Sequence, residues 1–199
     1  VRREPSARAL GRAARAPETG VVFLFSGQGA QYPGMARHLF ETEPLFRATL
    51  ERCDEILRPS LARPLISVIY PAHGEQPELW NTAYTQPAIV AVEYALAQMW
   101  RAWGVVPAAV LGHGVGEFTA AVLAGVLTLE QALGAVAARG RLQQELPPGG
   151  AMAEVFASVQ RIQSALQGLE DRLAIAAING PANTVLSGSV QTLEVVLAR

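Results

Sequence analysis

The sequence predicts an α/β fold with a parallel sheet, followed by a smaller subdomain of strands and helices. Residues 21–25 and 105–111 are short, wholly apolar runs that each lead into a glycine-rich turn and then into helical spacing. Strands that are apolar along their whole length are typical of parallel sheets whose two faces are both covered. After the helix breaker at residues 147–150 the pattern becomes strand, helix, strand, strand, helix. We therefore expect a large subdomain at residues 21–148 and a small one at residues 149–199.

Length, composition and charge argue against several classes of function for this chain, among them nucleic-acid binding, membrane insertion and metal binding by thiolates. The 199 residues are 50% hydrophobic and 17% charged, which suffices for one good core, and the net charge of -1 provides no field to attract nucleic acid. Apolar runs are interrupted well before the length of a membrane span, and the start shows no secretory signal pattern. The single cysteine, Cys53, can form neither an internal disulfide nor a thiolate metal site. We expect a cytoplasmic protein without metal, nucleic acid or membrane partners.

The elements before the second strand follow from apolar spacing and turn residues. Residues 1–20 carry five arginines and little apolar surface, so they are predicted to be an interdomain linker. The first strand leads into a loop at residues 27–31, which lies at the carboxyl end, where open parallel sheets keep their sites. Helices are expected at residues 44–58 and 88–104, the second with Pro87 in its first turn, as helix starts prefer.

The second apolar run meets the sequence Gly112-His113-Gly114-Val115-Gly116, and a helical pattern rich in Ala and Val follows. Strand, tight turn and helix in this order form a nucleophile elbow, in which the serine of G-x-S-x-G is held at the top of a sheet. This elbow predicts an α/β-hydrolase-like large subdomain. Both flanking glycines are present, but Gly114 occupies the serine position. The scaffold of a nucleophile is therefore present without the nucleophile.

The chain after the elbow helix predicts one more long helix and then the small subdomain. Thr128 is predicted to be a helix N-cap, and the helix is expected to run to about Gln144. The order strand, helix, strand, strand, helix that follows this helix corresponds to a ferredoxin-like unit that lacks its last strand. We expect such a unit to be inserted in the large subdomain and truncated at Arg199. Its strands are expected at residues 151–157, 173–179 and 184–188, and its helices at residues 159–168 and 191–198.

Six motifs, in the same order along the chain, resemble one protein family. The chain resembles the acyltransferase domain of modular type I polyketide synthases and, behind it, the malonyl-CoA:acyl-carrier-protein transacylases. Agreement in this order over almost all of residues 21–199 is very specific. The motifs are FSGQGAQ at 25–31, YTQPA at 84–88, LGHGVGE at 111–117, ARGRLQQ at 138–144, PPGGAM at 147–152 and AAINGPANTVLSG at 176–188.

The resemblance implies a transfer reaction and assigns residues to it. In this family a serine in GHSxGE takes an acyl group from coenzyme A and passes it to the phosphopantetheine thiol of a carrier protein. Carried over to this sequence, Gln28 and Val115 supply the backbone N–H groups of an oxyanion hole, and Gln86 and His113 line the pocket. Arg139 holds the free carboxylate of a malonyl-type group, because its planar fork of donors binds a carboxylate bidentately. The partners implied are an acyl carrier protein and adjacent ketosynthase and linker domains, and no cofactor is bound covalently.

Two departures from the family pattern leave two hypotheses open. The family serine is Gly114 in this chain, and the family's general-base histidine falls beyond Arg199. Loss of a catalytic nucleophile costs on the order of 10⁶ in kcat. The first hypothesis is a degenerate domain that survives as a structural adaptor between neighbouring synthase domains. The second is a competent acyltransferase in which Gly114 is engineered or divergent and the remainder of the domain lies outside this chain. In that case the resemblance weakly favours a malonyl substrate, because Val115, the residue after the serine position, is aliphatic.

Other readings of the same residues fit less well. The glycines at 112, 114 and 116 imitate a dinucleotide loop, but G-x-G-x-x-G requires glycine where Glu117 stands. A serine hydrolase on the same elbow lacks the same oxygen as the acyltransferase. Arg139 by itself could simply bind the last carbonyls of its helix. Its position within ARGRLQQ favours the carboxylate-binding role.

Overall fold

The computed structural model describes residues 20–75 and 78–198. They form two compact units, of which the first ends at Glu145 and the second begins at Leu146. The linker predicted at residues 1–20 lies outside the described residues except for Gly20. The predicted mixed α/β class is confirmed, whereas the predicted subdomain bounds at 148 and 149 stay a prediction.

In its described residues the first unit combines a parallel pair of strands with six α-helices. Strand β1 (Val22–Phe25) pairs in parallel with β2 (Ala109–Gly112), in a register that places Phe25 opposite Gly112. A short 3₁₀ turn at Glu78–Trp80 precedes the longest helix. The helices are α1 (Arg37–Thr42), α2 (Pro44–Leu57), α3 (Leu65–Ile69), α4 (Thr82–Ala102), α5 (Gly116–Leu123) and α6 (Leu129–Gln144).

The core of this unit lies where α2, α4 and α6 meet. Apolar side chains at helical spacing on α2, among them Phe46 and Leu50, are fully buried against the apolar faces of α4 and α6. Helix α6 approaches the first turn of α4 at Gly140, where a Cβ atom would lie only 2.7 Å from the carbonyl oxygen of Thr82. Glycine at this position permits the close contact that sets the place of Arg139, its neighbour in sequence.

The prediction that the first strand is buried on both faces is wrong. Val22 is 51% exposed and Leu24 is 72% exposed. Within the described residues β1 has one strand neighbour, and only one of its faces is covered by helices. Phe25 is the β1 residue that is buried, in a cluster with Ala97 of α4 and Ala120 of α5. An apolar run thus identified the strand correctly but not its surroundings.

Two predicted element starts also require correction. The second strand begins at Ala109 instead of 105, after Pro107, which has no N–H to donate to a strand partner. Helix α4 begins at Thr82, so Pro87 lies inside the helix and not in its first turn. The earlier start is stabilised by Thr85, whose hydroxyl donates to the carbonyl of Leu79 and also lies 3.1 Å from that of Asn81. Helices α2 and α6 run as predicted, α6 with a capping box at its N-terminus.

The second unit has the predicted order of strand, helix, strand, strand, helix. Its antiparallel sheet has the strand order β3-β5-β4, and the apolar side chains of one face pack against the two helices. The elements are β3 (Gly150–Val155), α7 (Val159–Ala165), β4 (Leu173–Gly180), β5 (Asn183–Ser189) and α8 (Val190–Leu197). Among the helices that the structure describes, none combines the length and hydrophobicity that crossing a membrane would require.

Candidate active site

The predicted elbow is present in the structure as β2, a three-residue turn and α5. The turn is tied to the neighbouring strand by the N–H of His113, which donates to the carbonyl of Phe25 at 2.9 Å. It closes through the N–H of Gly116, which donates to the carbonyl of His113 at 3.0 Å. Val115 is 2% exposed and anchors the turn in the core, while His113 and Gly114 face the surface.

The three glycines of the elbow are there for different physical reasons. A Cβ atom on Gly112 would collide with the backbone of Gly116 and Glu117, and one on Gly116 would lie 2.5 Å from the carbonyl oxygens of Phe25 and Ser26. Glycine is therefore required by contact at both flanks. At Gly114 the nearest atom to a Cβ would be the Cα of Gly27 at 3.9 Å, an ordinary contact distance. Only the positive φ of +56° favours glycine at the tip.

The loop that follows β1 lies against the elbow. A Cβ atom on Gly27 would lie 3.0 Å from both the ring and the carbonyl oxygen of His113, so this glycine allows the two segments to approach. The N–H of Gly29 donates to the side-chain oxygen of Gln31 at 2.8 Å, and Gln31 is buried. The loop that carries Gln28 is thereby held beside the turn that carries Val115.

Four glutamine, threonine and arginine side chains continue from Gln28 as a hydrogen-bonded chain. The hydroxyl of Thr82 donates to Gln28 Oε1 at 3.1 Å, and Gln86 Nε2 donates to the oxygen of Thr82 at 2.8 Å and to Gln143 Oε1. Arg139 Nη1 donates to Gln86 Oε1 at 2.6 Å. Gln86 is completely buried and links α4 to α6. The predicted site residues Gln28, Gln86 and Arg139 thus belong to one network.

The sequence reading missed two members of this network. Thr82 precedes Gln86 by four residues on α4, and Gln143 follows Arg139 by four residues on α6. Side chains four apart on a helix lie on the same face, so this spacing could have identified both.

The guanidinium group of Arg139 is exposed and donates to side-chain oxygens of Gln86 and, at 3.5 Å, of Gln143. It forms no ion pair with any residue in the described ranges. These contacts differ from the alternative in which the arginine binds the last carbonyls of its own helix. A charged group with neutral partners at the surface is chemically suited to bind an incoming carboxylate.

Glu93 is a further polar group near the elbow that the sequence reading did not single out. Its Oε1 accepts hydrogen bonds from the N–H and the hydroxyl of Ser26 at 2.6 and 2.9 Å, and its Oε2 accepts one from the hydroxyl of Thr119 at 3.0 Å. Burial raises the pKa of this carboxyl, and the hydrogen bonds from Ser26 and Thr119 oppose the rise.

Other reactive groups lie away from the elbow. Cys53 is fully buried in the helical core, and burial raises the pKa of its thiol to about 12, so it is not a thiolate at neutral pH. Within the part of the chain that the structure describes, no three His, Cys, Asp or Glu side chains cluster as a metal site would require.

The family model described as "Acyl transferase domain" matches residues 22–199, which is most of the chain and includes every site residue above. The chain belongs to the acyl transferase domain family. Its relatives among curated and solved proteins include acyltransferase domains of modular polyketide synthases.

Two curated relatives show the extent of this similarity. The acyl transferase domain is 42% identical over 176 residues to the spectinabilin polyketide synthase system protein NorB of Streptomyces orinoci, which is 87% of this chain and 8% of that protein. It is 42% identical over 168 residues to the erythronolide synthase EryA2 of Saccharopolyspora erythraea, which is 84% of this chain and 5% of that protein.

Two solved structures show the same fold. The acyltransferase domain from module 8 of the salinomycin polyketide synthase has a TM-score of 0.83 and 37% identity, over 89% of this chain and 42% of that one. The protein MCAT from Streptococcus pneumoniae has a TM-score of 0.79 and 33% identity, over 89% of this chain and 58% of that one. The chain therefore spans about half the length of these solved relatives and a small part of the curated ones.

Proposed function

We propose that this acyl transferase domain keeps the acyl-CoA cradle of a polyketide synthase acyltransferase, formed by Gln28, Gln86, Val115 and Arg139, but lacks transfer activity. It would serve as a structural adaptor in a larger synthase. The observation that carries this proposal is Gly114 at the tip of an otherwise well-formed elbow. Glycine has no oxygen with which to attack a thioester, so no acyl-enzyme can form at this position.

The remaining residues would bind a malonyl-type thioester in a defined way. Its free carboxylate would lie against Arg139, whose only side-chain partners within the described ranges are the neutral Gln86 and Gln143. Its thioester oxygen would accept from the backbone N–H groups of Gln28 and Val115, which lie on adjoining segments. The family's general-base histidine corresponds to none of His38, His73 and His113. Binding would thus be retained without transfer.

The setting of the domain is part of the same proposal. The strand order β3-β5-β4 supports a ferredoxin-like small subdomain, which would be inserted in an α/β-hydrolase-like large one. The partners would be an acyl carrier protein, which carries the phosphopantetheine thiol, and adjacent ketosynthase and linker domains. No covalent cofactor, nucleic acid or membrane would be involved, and the synthase would be cytoplasmic.

Intact-protein mass spectrometry after incubation of the full-length parent with malonyl-CoA tests this proposal. We expect no mass increase at this domain. In a separate hydrogen-exchange measurement, reversible binding of malonyl-CoA should slow exchange in peptides that contain Gln28 and Arg139. An acyl group found covalently attached within residues 25–117 would contradict the proposal.

The alternative, a competent acyltransferase with an engineered or divergent tip, is favoured by one observation. The space at Gly114 accommodates a side chain, since no atom would lie closer than 3.9 Å to its Cβ. This alternative predicts that Gly114→Ser in the full-length parent restores covalent loading by malonyl-CoA. A histidine segment after Arg199 in the parent sequence would support it, and failure of Gly114→Ser to load would count against it.

A further inference from the structure

Glu93 has an unusual position for an acidic side chain. It lies in the middle of α4, between the buried residues Val92 and Ala95, and is the only acidic residue of this 21-residue helix. Most of the surrounding helix surface is apolar. A carboxylate in such surroundings costs free energy unless its oxygens accept hydrogen bonds. Core packing alone therefore gives no reason for an acid at this position.

The hydrogen bonds of Glu93 join three segments of the chain. Oε1 accepts both donors of Ser26, which directly follows β1, and Oε2 accepts the hydroxyl of the fully buried Thr119 on α5. All three donors are neutral, and within the described ranges Glu93 forms no ion pair. One carboxylate thus connects α4, the start of the glycine-rich loop and the elbow helix.

These two anchored segments carry the two backbone donors of the oxyanion hole. Ser26 is two residues before Gln28, and its carbonyl oxygen is one of the atoms against which Gly116 packs. Thr119 lies four residues after Val115, one helical turn along α5. A displacement of either anchor relative to the other would change the separation of the N–H groups of Gln28 and Val115.

We propose that Glu93 is a positioning residue, which sets the spacing of the two oxyanion N–H groups by binding Ser26 and Thr119 at the same time. This inference rests on the oxyanion assignments of the proposed function, although not on whether transfer occurs. Glu93 does not touch the acyl group and acts only through the two segments that it holds.

The choice of residue follows from the donors that Glu93 faces. Ser26 offers an N–H that can only donate, so its partner must be an acceptor. Glutamine keeps one acceptor for Ser26, and the hydroxyl of Thr119 can turn to accept from its amide. Methionine has a similar length and fills the space without a strong acceptor. Comparison of Glu93→Gln with Glu93→Met therefore separates hydrogen bonding from packing.

Hydrogen exchange of the full-length protein, resolved by peptide, tests the proposal. In Glu93→Met we expect peptides that contain residues 22–31 and 112–120 to exchange about tenfold faster, because the bonds to a charged acceptor are lost. In Glu93→Gln we expect rates within about twofold of the unchanged protein. Peptides of the second unit, such as residues 173–189, serve as the internal control and should not change.

A second pair of substitutions keeps the test decisive if Glu93→Met fails to fold. Ser26→Ala and Thr119→Val, combined, remove two of the three hydrogen bonds and leave Glu93 in place. We expect the same two peptides to exchange faster, although less than in Glu93→Met. Equal acceleration of all peptides of the first unit, or unchanged rates in a folded Glu93→Met protein, would overturn the proposal.

Catalytic measurements separate this inference from the proposed function. If Gly114→Ser restores loading in the full-length parent, Glu93→Met in that background should lower kcat about tenfold and leave KM for malonyl-CoA nearly unchanged. Equal rises in KM for both Glu93 variants would contradict positioning. If Gly114→Ser restores nothing, the exchange result still decides the role of Glu93.

Discussion

Glycine occupies both flanks of the elbow, Gly112 and Gly116, and its tip, Gly114, but for different physical reasons. At Gly112 and Gly116 any side chain would collide with backbone atoms, which cannot move away without breaking the strand or the helix. At Gly114 there is space, and only the left-handed backbone conformation disfavours other residues. The fold therefore demands glycine at the flanks and merely prefers it at the tip. A chain released from selection for a nucleophile would gain stability from glycine at position 114 without altering the elbow.

The largest effect should come from a methyl group at a flank. Gly116→Ala places a Cβ atom against the carbonyls of Phe25 and Ser26, so we expect a loss of about 3 kcal/mol or more in unfolding free energy. All three tryptophans lie in the first unit, so urea unfolding followed by their fluorescence reports on that unit. Gly134→Ala, on an exposed part of α6 with no atom within 4 Å, is the matched control and should stabilise by about 0.5–1 kcal/mol. Similar effects of the two substitutions would contradict the contact argument.

A smaller effect, on ligand affinity, is expected when the positive charge of Arg139 is removed. If Arg139 binds the malonyl carboxylate as proposed, Arg139→Ala removes charge-assisted hydrogen bonds to that carboxylate. The affinity for malonyl-CoA, measured by calorimetry, should then fall by about 1.5–3 kcal/mol. Affinity for acetyl-CoA, which has no such carboxylate, should hardly change. Arg141→Ala is the control, since Arg141 lies on the same helix and bonds to Glu145. An equal loss of affinity for malonyl-CoA and acetyl-CoA would show that Arg139 does not bind the carboxylate.

At the tip itself a side chain should cost little. We expect Gly114→Ser to lower the unfolding free energy by about 1 kcal/mol, because the cost arises only from the positive φ. Gly125→Ser provides the comparison, since Gly125 also has a positive φ, of +73°, and no atom within 4 Å. The two losses should agree, and a loss at Gly114 as large as that of Gly116→Ala would remove the distinction between tip and flank.

The smallest effect concerns pH and the carboxyl that holds the two segments beside the tip. The folded-state pKa of Glu93 is raised above its usual value of 4.5, so the folded protein binds this proton more tightly than the unfolded chain does. The contribution of Glu93 to stability is therefore most favourable below that value and falls as the pH rises through the raised pKa. We would measure the urea midpoint of the unchanged protein minus that of Glu93→Gln between about pH 4 and pH 8. This difference should decrease as the pH rises. A constant or rising difference would contradict this sign.

The elbow and the network show different degrees of predictability. The elbow was found from sequence because its glycines, the apolar run before them and the helix after them are adjacent in the chain. The network of Gln28, Gln86 and Arg139 was assembled only through the family resemblance, since its members come from three separate elements. Thr82 and Gln143 were missed although each lies four residues from a predicted site residue on the same helix. Glu93 was missed because its partners are distant in sequence and nothing local marks it.

The sequence by itself determined the local structure: the order of strands and helices, the capped start of α6, the elbow and the missing hydroxyl at Gly114. These features depend on spacing, backbone conformation and residue chemistry within a few positions. Only the tertiary structure decided that β1 is half exposed, that Gly140 lets α6 approach α4, and that Glu93 holds two segments together. Such features depend on which distant residues meet, and an apolar or acidic residue has the same identity whether or not another element covers it.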